Sequence, residues 1–146
     1  MKTKKQDIFK NKHLYDAICV TTNSVVKKDG TLVMGAGVAK CFANNYPTLP
    51  YKLGQKVKVY GNQPYIVKIK GDTIISFPTK HNYLEPSDLE LIKKSAIKIE
   101  NLATKFRWVN VAIPAPGIGL GKLNWKEVKK ALDPILDNRF TILFKG

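Results

Sequence analysis

The sequence predicts an α/β protein, a three-layer α/β/α sandwich around a mixed sheet. Two observations favour this class. Helix patterns are mixed among short strand patterns along the whole chain, which places helices on both faces of one sheet. Two strand patterns in the middle of the chain are joined by a tight turn, so the sheet is expected to contain antiparallel as well as parallel neighbours. The length of 146 residues fits one domain, residues 1–146, with its own core.

Seven segments have the composition of strands, because they are short runs of apolar and β-branched residues bounded by turn formers. They are residues 2–5, 17–21, 56–60, 65–69, 73–77, 108–113 and 140–144. The stretches VKVYG and YIVKIKGDTIISF are predicted to form successive antiparallel strands, because GNQP and KGD have the composition of turns.

Three helices are predicted. The first begins at residues 35–37 and ends before Pro47, because proline cannot continue a helix. The second begins at Ser87, which with Glu90 forms a capping box after a proline. The third follows Asn124, which is predicted to cap its N-terminus in a similar way. The second helix shows one apolar face with steps of three and four, at Leu89, Ile92, Ala96, Ile99 and Ala103.

The net charge of +14 and the pI of about 9.8 indicate an anionic partner, nucleic acid among the candidates. Only Arg107 and Arg139 of the 25 basic residues are arginines, the residue type that usually reads bases. No run approaches the ~20 apolar residues of a membrane span. The basic N-terminal segment lacks the apolar core of a signal peptide, so we expect a cytoplasmic protein.

The cysteine and histidine contents argue against disulfides and metals. Cys19 and Cys41 suggest no disulfide framework and fit small core positions. His13 and His81 lie far apart and have no accompanying carboxylate or cysteine cluster, so no metal site is expected. We expect no cofactor, and a monomer.

Two glycine-rich loops each lead into a helix pattern. They are VMGAGVAKCF, residues 33–42, and PAPGIGLGKLNW, residues 114–125. A loop without side chains lets backbone N–H groups reach a ligand, and a helix N-terminus favours negative charge. Either loop alone also fits an ordinary tight turn. Together, they predict a clamp for a diphosphate at the carboxyl edge of the sheet. Neither ends in the lysine and hydroxyl of a Walker loop, which disfavours nucleotide triphosphate hydrolysis.

The ordered motifs QDIF, DAICVTTN, VMGAGVAKCF and PAPGIGLGKLNW resemble those of macrodomains, which are ADP-ribose-binding α/β/α sandwiches. The resemblance implies that Asp7 accepts a hydrogen bond from the adenine amino group and that Asn23 lies near the distal ribose. It also implies two phosphate loops. The ligand-binding residues implied are Asp7, Ile8, Asn23, Gly35, Ala36, Gly37, Val38, Pro116, Gly117, Ile118, Gly119, Leu120 and Gly121.

The segment FPTKHNYLEPS, residues 77–87, is similar to a stretch of the macrodomain antitoxins that remove ADP-ribose from DNA. That resemblance implies a catalytic role for Lys80. A neutral amine can attack the anomeric carbon or act as a base, and a protonated amine can stabilise a leaving group. These three roles stay open. His81 is a candidate proton donor or simply an exposed residue, and Tyr83 is a candidate for stacking on a base.

Four functions are compatible with these features. The leading hypothesis is a hydrolase that removes ADP-ribose from a modified target, with DNA as one candidate. The second is a phosphatase acting on ADP-ribose 1″-phosphate. The third is a non-catalytic module that binds ADP-ribose or another NAD metabolite. The fourth is a basic nucleic-acid-binding module, which would not need the paired glycine loops.

Overall fold

The structure is a computed structural model that describes residues 1–145. Its centre is a six-stranded sheet with the order β1-β6-β5-β2-β4-β3. Strand β3 is antiparallel to β4 and the other neighbouring strands are parallel, which confirms the mixed sheet. The strands are β1 Lys2–Lys5, β2 Ala17–Thr22, β3 Ile66–Ile69, β4 Asp72–Pro78, β5 Val111–Pro114 and β6 Phe140–Phe144.

Helices cover both faces of the sheet, as the sandwich class requires. They are α1 Gly37–Asn45, α2 Leu49–Tyr60, α3 Leu89–Phe106 and α4 Trp125–Leu132. Successive side chains of β2 point to opposite faces of the sheet and belong to two different hydrophobic clusters. Ile18 and Val20 belong to the cluster that contains Phe42 of α1, whereas Cys19 belongs to the cluster that contains Ile92 of α3. The three-layer α/β/α prediction is therefore confirmed.

The strand predicted at residues 56–60 is wrong, because these residues form the last turns of α2. Leu49, Leu53 and Val57 recur every four residues and are buried against the sheet. Pro50 lies in the first turn, where a missing N–H costs nothing. The β-branched and aromatic residues of VKVY gave a local strand signal, and burial of the helical face overrides it.

The start of α3 also differs from the prediction by one residue. The N-cap is Asp88, whose Oδ1 accepts hydrogen bonds from Glu90 N at 2.9 Å and Leu91 N at 3.4 Å. Ser87 lies inside the protein, because its backbone N donates to Gly121 O at 2.9 Å and turns the residue inward. A capping box on Ser87 is thus incorrect.

The remaining elements follow the predictions closely. Helix α1 begins and ends where expected, and α4 begins where expected but ends at Leu132, before Ile135, which the prediction placed in it. Asn124 caps α4 by accepting from Lys126 N at 2.8 Å. Strand β5 starts three residues later than the predicted 108–113, because Asp16 Oδ2 accepts from the backbone N of Val109 and Asn110 and holds that stretch outside the sheet. Within residues 1–145, no helix is long and apolar enough to span a bilayer.

Candidate active site

The sequence-predicted site residues converge on one edge of the sheet. Strands β1, β2, β4 and β5 run parallel within it, so their carboxyl ends lie at the same edge. Asp7 follows β1, Asn23 follows β2, Lys80 follows β4 and residues 115–121 follow β5. The carboxyl edge of an open parallel sheet is where such folds bind ligands.

The first glycine loop presents backbone amides at the start of α1. Ala36 is the N-cap, in an extended conformation, and no described side chain caps the helix. Gly35, Ala36 and Gly37 are exposed. Gly37 has a φ of 57°, which glycine adopts without strain. No acidic residue lies in the first turn, so the unpaired N–H groups and the helix dipole together favour an anion here.

The second glycine loop is held by backbone hydrogen bonds on its inner side. Leu123 N donates to Gly117 O at 2.8 Å and Lys122 N donates to Gly119 O at 3.0 Å. Gly117 and Gly121 are buried, whereas Gly119 and Leu120 are exposed. Gly117 has a φ of 78°, which favours glycine there, and a Cβ at this position would lie 2.8 Å from a methyl of Leu123. The exposed side of the loop is the one available to a ligand.

The two glycine loops lie beside each other. A Cβ at Gly37 would lie 3.2 Å from Cδ1 of Leu120, so the start of α1 and the tip of the second loop are in contact range. Leu120 is 63% exposed and packs against no deeper layer of the core. The predicted pairing of the loops is therefore present in the fold.

Lys80 lies against the second loop. Its Nζ donates a hydrogen bond to Leu120 O at 3.2 Å. Two bonds hold its own backbone: Lys80 N donates to Thr22 O at 3.4 Å, and Asn62 Nδ2 donates to Lys80 O at 3.0 Å. The preceding residue is held as well, because Thr79 N donates to Thr22 O at 3.0 Å and Thr79 O accepts from Asp88 N at 2.8 Å. The amine is thus held beside the cleft by neighbouring strands and by the start of α3.

The side chain of Asn23 makes two hydrogen bonds next to the first glycine loop. Its Nδ2 donates to Val33 O at 2.9 Å, and its Oδ1 accepts from Val25 N at 2.8 Å. The side chain is nearly buried, with 8% exposure. These bonds tie the segment after β2 to the strand-like stretch that enters the first glycine loop. A contact with the distal ribose stays a prediction for this residue.

Asp7 and Ile8 form the turn after β1. Asp7 is exposed, and its Oδ1 accepts from Phe9 N at 2.8 Å and from Lys10 N at 3.0 Å. Both bonds use the same oxygen, which leaves Oδ2 without a hydrogen bond within residues 1–145. The side chain of Ile8 belongs to the core, which leaves its backbone to meet a ligand. The adenine contact predicted for Asp7 is compatible with this placement and remains a prediction.

Comparison with known proteins identifies the fold. No family model matches the sequence. The macrodomain of Mycobacterium tuberculosis DarG superimposes with a TM-score of 0.82 at 25% identity, over 99% of this chain and 97% of that one. The chain belongs to the macrodomain family. The macrodomain of Thermus aquaticus DarG gives 0.79 at 23% identity, and a Thermosipho africanus DarTG structure in complex with ADP-ribose gives 0.78 at 23%. They cover 99% and 97% of this chain, and 97% and 40% of those chains.

Curated relatives of this macrodomain include a DNA ADP-ribosyl glycohydrolase from Mycobacterium tuberculosis. It is 32% identical over 107 residues, which are 68% of this chain and 30% of the relative. A Thermus aquaticus protein of the same name is 30% identical over 115 residues, or 72% of this chain and 31% of the relative. The matched region therefore spans about a third of the length of these relatives.

The two accessory candidates of this macrodomain differ in their surroundings. His81 Nε2 lies 3.0 Å from Asp88 Oδ2, and this hydrogen bond is the main reason why the pKa of Asp88 is lowered from its ordinary value. The main-chain oxygen of His81 accepts from Ser24 Oγ at 2.5 Å. Tyr83 is 46% exposed and belongs to neither core. His81 thus contacts the N-cap residue of α3, and the ring of Tyr83 is accessible to a ligand.

Sequence reasoning missed two residues of the site. The sequence predicts only a turn at Asn62, and nothing in its local sequence reveals the bond to Lys80 O. It predicts a cap at Ser87, whereas its Oγ is buried beneath Gly121 and has no hydrogen-bond partner among residues 1–145. Both contacts join residues distant in sequence. Within residues 1–145, no group of three metal-binding side chains comes together.

Proposed function

We propose that this macrodomain binds ADP-ribose between its two glycine loops and hydrolyses the bond between ADP-ribose and a modified target, with Lys80 as the catalytic residue. The observation that carries the proposal is the 3.2 Å hydrogen bond from Lys80 Nζ to Leu120 O. It puts the one candidate catalytic side chain on the loop that is proposed to hold the phosphates.

The binding half of the proposal depends on the backbone amides of both loops. A Cβ built on Gly35 or on Gly119 meets no heavy atom within 4 Å, so both positions border open space. A diphosphate in that space would accept hydrogen bonds from amides at the start of α1 and from the second loop. Backbone amides do not titrate, so this contribution to binding is independent of pH.

The reaction class is hydrolysis at C1″ of the distal ribose. The bond from C1″ to the target atom breaks, the oxygen of water bonds to C1″, and the proton of water is transferred to the released target atom. Lys80 can act as nucleophile, as base or as the cation that stabilises the leaving group. The names of the curated relatives support DNA as the target, and the net charge of +14 is favourable for a polyanionic substrate.

The test uses Lys80→Ala with Lys126→Ala as the matched control, because Lys126 is an exposed lysine on α4. Free ADP-ribose is titrated calorimetrically, and release of ADP-ribose from a modified single-stranded oligonucleotide is followed separately. Lys80→Ala is expected to bind ADP-ribose while losing at least about 100-fold in turnover, the usual contribution of one catalytic group. Full turnover in Lys80→Ala would contradict the proposed mechanism.

The same assays separate the other functions. Phosphate release from ADP-ribose 1″-phosphate that is undiminished in Lys80→Ala would favour a phosphatase. Tight binding with no turnover of any conjugate would favour a module that only binds ADP-ribose. The pH profile of turnover distinguishes the roles of Lys80, because a nucleophile or base gains activity on deprotonation and a cationic stabiliser loses it.

We further propose that residues 1–146 form one domain, a cytoplasmic monomer. Cys19 is buried as predicted, whereas Cys41 is exposed, so the core position predicted for Cys41 is wrong. Both are free thiols, which fits a reducing compartment. Sedimentation of the purified chain at two concentrations tests the oligomeric state, and limited proteolysis tests the single domain.

A further inference from the structure

The cations of this chain are unevenly distributed. Between Asp29 and Asp72 the sequence contains no aspartate or glutamate, yet it contains six lysines. This acid-free span includes α1, α2 and β3. The six lysines therefore have no carboxylate within this span to neutralise them, which favours a positive potential on the surface they share.

Within this span, α2 and β3 enclose an open groove of about 410 Å³. We call it the α2 groove. Tyr51, Lys52 and Lys56 line it from α2, and Ile66 and Lys68 line it from β3. Strand β3 is the outermost strand of the sheet, so no further strand covers this side. The groove therefore combines three lysines with an aromatic ring at an open sheet edge.

The exposed face of α2 continues beyond the groove with Val59 and Tyr60, one turn after Gln55 and Lys56. Tyr60 is 68% exposed and Tyr51 is 53% exposed. With 12 residues and a rise of 1.5 Å each, α2 extends this face over about 18 Å. Lys52, Lys56 and Tyr60 recur every four residues and so lie along one stripe of α2, which places an exposed stacking ring next to two phosphate-binding positions.

The α2 groove leads to the candidate active site. Helix α2 ends at Tyr60, and Asn62 two residues later donates its hydrogen bond to Lys80 O. Tyr65 OH donates to Gly61 O at 2.5 Å, and Lys98 Nζ donates to Gln63 Oε1 at 2.7 Å, so the connection is ordered and carries another lysine. The segment after α2 thus lies between the groove and the main chain of Lys80, so a strand that extends past Tyr60 runs toward the candidate active site.

We propose that the α2 groove binds the sugar–phosphate chain of single-stranded DNA, the strand that carries the ADP-ribosylated nucleotide. This inference deepens the proposed function and rests on it for the identity of the strand. Lysines bind phosphates without reading sequence, and exposed tyrosines stack on unpaired bases, which a duplex does not offer. A nucleic acid with unpaired bases uses both chemistries, whereas an acidic peptide uses only the lysines.

The test measures the binding of an unmodified, mixed-sequence, fluorescently labelled single-stranded oligonucleotide by anisotropy over a range of salt concentrations. The double variant Lys52→Gln/Lys56→Gln removes two charges from the groove. The control Lys2→Gln/Lys4→Gln removes the same charge from β1, an exposed strand at the opposite edge of the sheet. Only the groove variant is expected to reduce the slope of log K against log salt, by about 1.4, since each phosphate contact contributes about 0.7.

A second pair of variants tests stacking. Tyr60→Ala is expected to lose at least about fivefold in oligonucleotide affinity, whereas Tyr60→Phe keeps the ring and its affinity. Equal losses in the groove and β1 variants would mean that only net charge matters and would overturn the proposal. Displacement of the oligonucleotide by polyglutamate, together with unchanged affinity in Tyr60→Ala, would also overturn it and indicate an acidic peptide partner.

Titration with free ADP-ribose separates this inference from the proposed function. The groove variants are expected to bind free ADP-ribose like the wild type, because their positions lie outside the two glycine loops, and this result also reports correct folding. If the wild type fails to bind ADP-ribose, the proposed function fails, and the oligonucleotide measurements still decide whether the α2 groove binds DNA.

Discussion

The contact between Gly121 and Ser87 gives a prediction whose size follows from the structure. A Cβ at Gly121 would collide with Ser87 Oγ and would lie 3.2 Å from Ser87 Cβ. The backbone of Gly121 is not in the left-handed region, so the collision is the reason that glycine is needed there. Forcing an extra methyl group into a packed site costs about 1–3 kcal/mol, so Gly121→Ala is expected to destabilise the fold by about 2 kcal/mol.

Removing the hydroxyl separates this collision from other effects. Ser87 Oγ is buried and unpaired, so Ser87→Ala by itself is expected to be neutral or stabilising by up to about 1 kcal/mol. In Ser87→Ala/Gly121→Ala, two methyl groups meet at 3.2 Å, which a shift of a few tenths of an ångström relieves. The two substitutions should therefore couple by about 1–2 kcal/mol in a double-mutant cycle.

Urea denaturation measures these differences directly. With m of about 1–3 kcal/mol/M, a loss of 2 kcal/mol lowers the midpoint by about 1 M. Gly35→Ala is the matched control, because its Cβ meets no atom within 4 Å and its φ is ordinary, so it should be neutral within about 0.5 kcal/mol. Equal midpoints for Gly121→Ala and for the double variant would refute this reasoning, since the collision would then have contributed nothing.

Three further predictions concern the site. Gly35→Glu should abolish heat on titration with ADP-ribose, because the carboxylate enters the proposed phosphate site, whereas Gly35→Gln, of equal size, should retain part of the affinity. Asn62→Ala removes the bond to Lys80 O; it should lower turnover while the affinity for ADP-ribose is unchanged, and equal loss of both would argue against a positioning role. The pKa of Asp88 is lowered mainly by His81, so its contribution to stability is present above 3.8 and is lost as the pH falls through the lowered pKa. Asp88→Asn retains an N-cap, so it should reduce the loss of unfolding free energy at acid pH, as measured by urea denaturation over a range of pH.

Local signals predicted most of the fold because they coincide with the burial that stabilises it. The residues around Asn124 predicted the start of α4, since a cap acts within a few positions of itself. The strand prediction for residues 56–60 is wrong because β-branched residues fit both a strand and a helix. What decides between them is Leu53 packing on the sheet, and that contact is absent from any short window.

The position of the candidate site could be predicted from the sequence, whereas its long-range hydrogen bonds and contacts could not. Parallel strands bring their carboxyl ends to one edge, so residues that follow β2, β4 and β5 meet whatever their spacing. The roles of Asn62 and Ser87 depend on partners 18 and 34 positions away, Lys80 and Gly121. No pattern in their own neighbourhoods encodes those partners, so a single sequence carries no signal for them.

The contrast between the backbone and the side chain of Lys80 bears on how it works. Its main chain is hydrogen-bonded to Thr22 of β2 and to Asn62, whereas within residues 1–145 its amine has one hydrogen bond, to Leu120 O at 3.2 Å. A net contribution of about 1 kcal/mol is typical of such a bond. If ADP-ribose binds as proposed, exchange of the Leu120 oxygen for a ligand oxygen therefore costs the amine little. The fold thus supplies the position, and the ligand determines which oxygen the amine contacts.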